Sequence, residues 1–352
     1  MACQRFDSLD RLAESWDFLA VKAGSPMRQY AWAWAWAETF AADYELRLVG
    51  VLDQSGLTAI APLVRRRQGG PYLELLGVNE LSEPMDFLYA TPPALASLTD
   101  ALVQLRFPLL LRRIPADSPL VNALQRSYRG RGIVICRPVS GYPWIPLDTS
   151  WIKAEQHLNA GRRSDLRRAR RIAESMGPLS IEVVSPTLMT LEPLLEEAFR
   201  AEASSWKGYK GTALTKDPLR RLFFSRYAAA ACGQHILRLG FLRIGGHVAA
   251  MQIAVECGDR FWLLKIGYDE AYARCSPGTL LVLETVRYAA GRGLRSYEFL
   301  GQVEPWTQMW TQLVRPCITL RAYPASLQAI AALASDLSRI GWRRFRQVAQ
   351  DR

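Results

Sequence analysis

Residues 274–279 read Arg-Cys-Ser-Pro-Gly-Thr, and an apolar-periodic segment begins where they end. A helix N-terminus presents backbone N–H groups without intrahelical acceptors and the positive end of the helix dipole, so it can hold a phosphate. Gly278 lets the backbone approach such a ligand closely, and Arg274 adds a charged donor. The pyrophosphate of a cofactor is an anion this spacing suits. A single Pro-Gly before a helix is equally what an ordinary strand-to-helix turn contains, and on the loop by itself that reading is the stronger. Cys275 sits where a helix dipole lowers a thiol pKa, but no base accompanies it.

The elements around this loop must position it. Residues 261–267 (Phe-Trp-Leu-Leu-Lys-Ile-Gly) read as a buried strand. Strands over 236–243 and 247–256, joined by turns at Gly245-Gly246 and 257–259, precede it as an antiparallel meander. After the loop, Val282, Val286 and Ala289 fall at helical spacing, Gly291 and Gly293 supply the stop, and 295–300 reads as another strand. Helices over 191–202 and 218–231 come before the meander. The first half repeats the order: helices around 9–23 and 32–40, a hairpin over 46–52 and 57–64, a strand over 72–77, and a polar loop with Asp86. A Pro-initiated helix over 92–105 and a strand over 108–114 complete it. Meander, loop, helix and strand therefore occur twice, which predicts duplication of one α/β unit. The first copy lacks the Arg-x-x-Pro-Gly element, so if one copy alone binds a phosphorylated cofactor it is the second.

The 352 residues predict about two domains, and 49% hydrophobic content suffices for sizeable cores. A net charge of +11 suits a polyanionic partner: a phosphorylated cofactor, nucleic acid or an anionic membrane surface. Six scattered cysteines and three dispersed histidines signal neither a zinc site nor a disulfide framework, so no metal is expected and the thiols are read as reduced. Reduced thiols read as a cytoplasmic protein, and with no apolar signal-peptide core or bilayer-length apolar run seen, the protein is expected to be soluble or peripheral at the inner membrane.

The order of elements resembles the GNAT superfamily of N-acyltransferases. Within it the wording resembles the tandem-domain CelD/BcsL-like branch related to the FemABX aminoacyl transferases. The segments carrying the resemblance are the Arg-rich 158–172, Glu-Ala-Ser-Ser-Trp-Lys-Gly at 202–208, Lys-Ile-Gly-Tyr-Asp-Glu at 265–270, 274–281, and Tyr-Glu-Phe-Leu-Gly at 297–301. The resemblance implies an α/β (α+β) fold of two tandem GNAT-like domains, each a mixed, mainly antiparallel sheet flanked by helices. The expected spans are 1–148, a degenerate copy, 149–324, which binds acyl-CoA, and a basic C-terminal helix over 325–352. It also implies acetyl-CoA or another acyl-CoA as co-substrate. Lys265, Ile266 and Gly267 would line the pantetheine arm, and Arg274, Ser276, Pro277, Gly278, Thr279 and Leu280 would surround the pyrophosphate. Two departures stand out: many members carry Asp where Glu298 stands, and Tyr-Lys where Trp306-Thr307 stands.

Acyl transfer to an amine needs a deprotonated nucleophile, fixed attack geometry and a protonated thiolate leaving group. Glu202, at a helix end before the Ser-Ser-Trp-Lys-Gly motif, is the leading base candidate; a surface carboxylate paired with Lys207 is its plain alternative. Asp269 and Tyr268 are further candidates, with loop capping as their structural role. Glu298 and Glu304 lie where an acceptor cleft should open, and each also fits a structural part. Trp206 and Lys207 would form a wall and a charged anchor for the acceptor, with Trp306 nearby.

The arginine run 162–171 carries an apolar stripe of Leu166, Ala169 and Ala173, giving an amphipathic helix that ends at Gly177-Pro178. It reads as a solvated inter-domain helix or as an anion-binding face. The tail 327–352 has Leu337, Ile340, Trp342 and Phe345 beside four arginines, which fits either packing on the protein or lying on the anionic inner leaflet. Trp32 and Trp36 are expected in a core, with Trp34 on another side. The expected activity is direct acyl transfer, most plainly acetyl, to an amine or hydroxyl of a small-molecule or saccharide acceptor in envelope or exopolysaccharide synthesis. Aminoacyl transfer from tRNA is the alternative that brings in nucleic acid, and a non-catalytic peripheral scaffold is the other.

Overall fold

The computed structural model describes residues 2–54, 56–204 and 217–350, with side chains as far as Ser338. It comprises two compact units: residues 1–21, 40–140 and 316–352 in the first, and 22–39 with 141–315 in the second.

In the first unit, β1 (Ala2–Phe6) and α1 (Ala13–Ala20) lead into the hairpin. Between them in the chain α2 (Tyr30–Phe40) belongs almost wholly to the second unit. Each hairpin arm, expected as one strand, is two: β2 (Tyr44–Leu46) and β3 (Leu48–Asp53), then β4 (Gly56–Ala61) and β5 (Leu63–Arg66). Pro62 breaks the second arm because it has no N–H for a ladder, and Arg47 N–H opposite it donates to Leu63 O at 2.8 Å. The arms consequently feed two sheets. One has the order β1-β3-β4-β7, where β7 is Leu88–Tyr89. The other runs β15-β8-β6-β5-β2, with β6 (Leu73–Leu75), β8 (Leu109–Pro115) and β15 (Val314–Pro324). A turn at Leu76-Gly77 replaces the end of the strand expected over 72–77 and leads into the short α3 (Val78–Leu81). Between β6 and β8, which pair in parallel, comes α4 (Pro92–Gln104); α5 (Pro119–Tyr128) packs on it.

In the second unit the sheet order is β10-β11-β12-β13-β14-β9, ending on the C-terminal part of β9 (Gly132–Pro146). Its other strands are β10 (Leu179–Val184), β11 (Leu237–Ile244), β12 (His247–Cys257), β13 (Arg260–Tyr268) and β14 (Ser296–Glu298). The helices are α6 (Ala160–Met176), α7 (Leu188–Ala203), α8 (Pro218–Gly233), α9 (Pro277–Gly291) and the one-turn α10 (Pro305–Gln308). The expected meander is present: β11, β12 and β13 pair antiparallel in succession. The structure adds a second parallel pair, in which β13 and β14 flank α9 as β6 and β8 flank α4.

Burial follows the sequence periods. Trp32 and Trp36 are enclosed and Trp34 is 37% exposed; Trp32 meets Phe223 and Tyr227 edge-on, each at 4.9 Å. On α6 the stripe Leu166, Ala169 and Ala173 is buried, and Asn159 Oδ1 caps the helix by accepting from Arg162 N–H at 2.8 Å. Strands β9 and β15 were not expected, because Pro138 and Pro143 interrupt the first and Pro316 the second. Pro138 and Pro316 stand at exposed positions of these strands, where the missing N–H leaves no buried partner unsatisfied.

The C-terminal helix α11 (Leu327–Gln350) packs on the first unit rather than standing clear of it. Ala329 and Ala332 are buried beside Tyr323, with Tyr72 and Leu333 against them. The Asp336 carboxylate accepts from Tyr72 and Tyr323 hydroxyls, each at 2.6 Å, and pairs with Arg321. Leu327, Ile330 and Leu337 remain exposed on other sides of the helix.

Candidate functional site

The parallel pair in the second unit stops early. Strand β14 pairs only with the first three residues of β13, through Arg260–Ser296, Phe261–Tyr297 and Trp262–Glu298. The strand expected over 295–300 is thus only 296–298, since the chain leaves it through Leu300 (φ 58°) and Gly301 (φ 59°). Strand β13 continues to Tyr268 beyond that ladder. Its pairing with β12 shifts between Ile253–Lys265 and Ala254–Leu263, leaving Leu264 as a bulge that re-aims the backbone ahead of Lys265, Ile266 and Gly267. The β13–β14 ladder ends at Trp262, two residues before this bulge, so the Lys265–Gly267 backbone runs on past the end of β14, and this step is the slot.

The start of α9 stands at the end of this slot. A Cβ built on Gly278 would lie 3.7 Å from Tyr268 Cδ1 and 4.0 Å from Ile266 Cδ1, ordinary contacts on the slot side. The loop 270–275 forms a 3₁₀ turn. Ser276 then adopts φ 45°, a left-handed conformation that costs a non-glycine residue energy and often marks functional loops. Its exposed hydroxyl caps nothing in the helix, while its carbonyl accepts from Thr279 and Leu280 N–H at 3.0 and 3.2 Å. Pro277 has no N–H, so Gly278 N–H is the first-turn donor left without an intrahelical acceptor. Gly278 has an ordinary helical φ and room for a methyl group, so nothing within the fold demands glycine there. An absent side chain at an open N–H fits a ligand that needs the space. Exposed Arg274 places Nε 3.3 Å from Met176 Sδ, and among the described residues no carboxylate pairs with it. These features fit a pyrophosphate.

The first unit supplies a control within the same chain. Its corresponding helix α4 begins Pro92-Pro93, two residues without N–H, and Thr91 Oγ1 accepts from Ala94 N–H at 3.4 Å. The donors are removed or capped there.

The candidate catalytic groups separate clearly. Glu202 is 1% exposed near the C-terminus of α7, directly beneath Gly267. A Cβ at Gly267 would fall 2.8 Å from Glu202 Cγ and 2.9 Å from its Cα, so glycine is needed for α7 to approach β13 this closely. Asp269 Oδ1 accepts from Ala271 N–H at 2.9 Å and caps the loop. Burial, then the neighbouring Glu270, push the Tyr268 phenol upward, so it stays protonated near neutrality and suits donating rather than accepting a proton. Glu298 is 0% exposed; its oxygens accept from Arg315 at 2.9 and 2.7 Å and from Ser296 Oγ at 2.7 Å, and Arg315 stacks on Trp144 at 3.8 Å. That environment gives it a structural ion pair, which sequence reading missed because Arg315 lies on a strand it did not identify. Glu304 accepts from Trp306 Nε1 at 2.7 Å, and buried Thr307 caps α10 through its hydroxyl, donating to Glu304 O at 2.8 Å. Lys265 holds its ammonium 4.8 Å above the Phe224 ring. The Cys275 thiol is buried, donates to Tyr272 O, and is pushed up by that burial, the opposite of a helix-activated thiolate. Trp206 and Lys207 lie outside the described residues.

Residues 160–308 match the acetyltransferase (GNAT) domain family. This region is a GNAT-type acyltransferase domain. The GNAT match contains α6, the meander, the slot and the start of α9, and stops at α10. In overall structure the chain is similar to FemX, with a TM-score of 0.59 at 12% identity over 95% of this chain and 99% of that one. It is equally similar to the C-terminal DUF2156 domain of an Agrobacterium fabrum protein named as a lysylphosphatidylglycerol synthetase, at 0.59 and 11% over 94% and 97%. A Bacteroides thetaiotaomicron protein of unknown function gives 0.58 and 10% over 92% and 100%. At such identities the likeness is one of fold. No curated protein matches the sequence.

Proposed function

We propose that the GNAT domain binds an acyl-CoA, most simply acetyl-CoA, along the β13 slot and transfers the acyl group directly to an amine or hydroxyl of an acceptor. The observation that carries this reading is the short β13–β14 ladder ending beside an α9 N-terminus whose Gly278 N–H and side-chain space are open. The Lys265–Gly267 backbone would hold the pantetheine arm, and Gly278, Thr279 and Arg274 the pyrophosphate. The bound thioester supplies an activated acyl carbon, so the protein must chiefly position the acceptor and move one proton. With Asp269 capping a turn and Glu298 held by Arg315, Glu202 is the carboxylate best placed to act as base, and Tyr268 suits protonating the leaving thiolate. A saccharide or other envelope precursor is the acceptor class we favour, from the CelD/BcsL-like wording of the sequence. Calorimetry with acetyl-CoA tests the cofactor assignment: one-to-one binding lost in Arg274→Ala is expected, and no binding by the wild-type chain would overturn it.

The fold likeness to FemX favours aminoacyl transfer as the second reading. Aminoacyl-tRNA binding together with indifference to CoA would select it. Among the described residues no helix is long and apolar enough to cross a membrane. Peripheral contact of the exposed α11 residues with anionic lipid remains part of the proposal, tested by sedimentation with anionic and neutral vesicles.

A further inference from the structure

Helix α11 buries its acid and exposes its largest apolar residues. Between Leu327 and Ser338 its one charged residue, Asp336, is buried, held by the hydroxyls of Tyr72 and Tyr323 and by Arg321. Ala329 and Ala332 lie against Tyr323, with Leu333 packed on them. The start of the helix is tied down as well: Ser326 Oγ accepts from Ala329 N–H at 3.2 Å and donates to Arg106 O at 2.9 Å. These contacts fix which side faces out, and that side carries Leu327, Ile330 and Leu337 at 89%, 60% and 57% exposure. With exposed Ala334 between Ile330 and Leu337, the i, i+3, i+7, i+10 spacing sets all four in one stripe about 15 Å long. The remaining exposed residues of this stretch, Gln328, Ala331, Ser335 and Ser338, are uncharged.

Apolar residues scattered singly over a surface need no partner, but a continuous stripe held outward on one helix marks an interaction face. Charge says which kind. From Leu337 to Gln350 the chain holds Arg339, Arg343, Arg344 and Arg346 and no acid. An uncharged apolar stripe that runs on into a purely basic segment complements a surface with an apolar interior and an anionic rim, which is a lipid leaflet. A second copy of α11 offers no acid over that segment to meet these arginines. We propose that α11 lays the first unit on an anionic lipid surface, with Leu327, Ile330 and Leu337 entering the acyl boundary and the arginines that follow supplying the charge toward the headgroups. This inference rests on the peripheral contact proposed above and goes further in making that contact an apolar insertion at named side chains.

Flotation of the full chain with vesicles of phosphatidylserine and phosphatidylcholine, beside phosphatidylcholine alone, tests it. Binding to the mixed vesicles is expected, about tenfold or more weaker in the triple variant Leu327→Ser, Ile330→Ser, Leu337→Ser, and weak on phosphatidylcholine alone. A triple variant that binds as tightly as wild type would leave a purely electrostatic contact and overturn the insertion while the peripheral contact stands. No binding by the wild-type chain would overturn the peripheral contact itself, and the insertion with it. Equal binding to neutral vesicles would overturn the anionic partner. A dimer in sedimentation velocity that the triple variant abolishes would assign the stripe to a second copy and overturn the lipid assignment. Should the triple variant fail to fold, Ala334→Glu places one charge within the stripe on a good helix former, with weaker binding expected and unchanged affinity overturning the insertion.

Discussion

Replacing Gly278 by aspartate separates folding from cofactor binding. The new Cβ meets only Tyr268 Cδ1 at 3.7 Å and Ile266 Cδ1 at 4.0 Å, so no overpacking follows. Aspartate is a better helix residue than glycine by a few tenths of a kcal/mol, roughly. At the N-terminus of α9 its charge also gains about 0.3–1 kcal/mol from the dipole. The variant should therefore melt at the wild-type temperature or slightly above it. Binding moves the other way. The carboxylate occupies the space left for the ligand and sits on the order of 4 Å from the pyrophosphate, where one like-charge pair costs about 4 kcal/mol at an effective dielectric of 20. With screening removing half or more of that, acetyl-CoA affinity should fall about 10- to 100-fold, roughly 1.4–2.8 kcal/mol. Calorimetric titration paired with thermal melting reads both quantities on one sample. A fully folded variant that binds acetyl-CoA within twofold of wild type would refute the cradle.

Three other outcomes follow from the same geometry. Gly267→Ala forces a methyl group to within 2.9 Å of the Glu202 Cα, a backbone atom that cannot swing aside, so melting should show a loss of about 1–3 kcal/mol, while Gly278→Ala shows none. Glu298→Ala strands Arg315, and because Arg315 keeps 28% exposure the loss should lie near the low end of breaking a buried pair, about 3 kcal/mol in chemical denaturation. Lost transferase activity with unchanged stability would instead make Glu298 a reacting group. Burial works against the Asp336 carboxylate, but hydrogen bonds from Tyr323 and Tyr72 and the Arg321 guanidinium outweigh it and hold its pKa below 3.8. A depressed folded-state pKa stabilises above the unfolded value and is lost as pH falls through the folded one. Hydrogen exchange should show α11 losing protection below about pH 4, and Asp336→Asn flattening that dependence.

The repeat of meander, loop, helix and strand was legible in the sequence because it rests on local signals: period-2 apolar runs, glycine turns and a proline-initiated helix. The same signals placed Trp32 and Trp36 inside, and the stripe of Leu166, Ala169 and Ala173 against the sheet. The loop 274–279 was legible as a helix start beside an arginine, and its inequality with Pro92-Pro93 in the first copy was already written in residue types. The sequence alone therefore determined the family of fold, and it set the two helix starts apart by residue type, because N–H groups and side-chain volume are properties of the residues themselves.

What those residues do depends on neighbours far away in the chain, and the tertiary structure decided it. Strand β14 ends after three paired residues, so the slot exists only as a relation between β13, β14 and α9. Glu298 became a structural ion pair through Arg315, seventeen positions on. Glycine at 267 is required by Glu202 on a separate helix, whereas glycine at 278 is required by nothing within the fold. One-letter identity cannot tell those two glycines apart. The distinction is steric, set by which backbone comes within 3 Å, and packing alone supplies it.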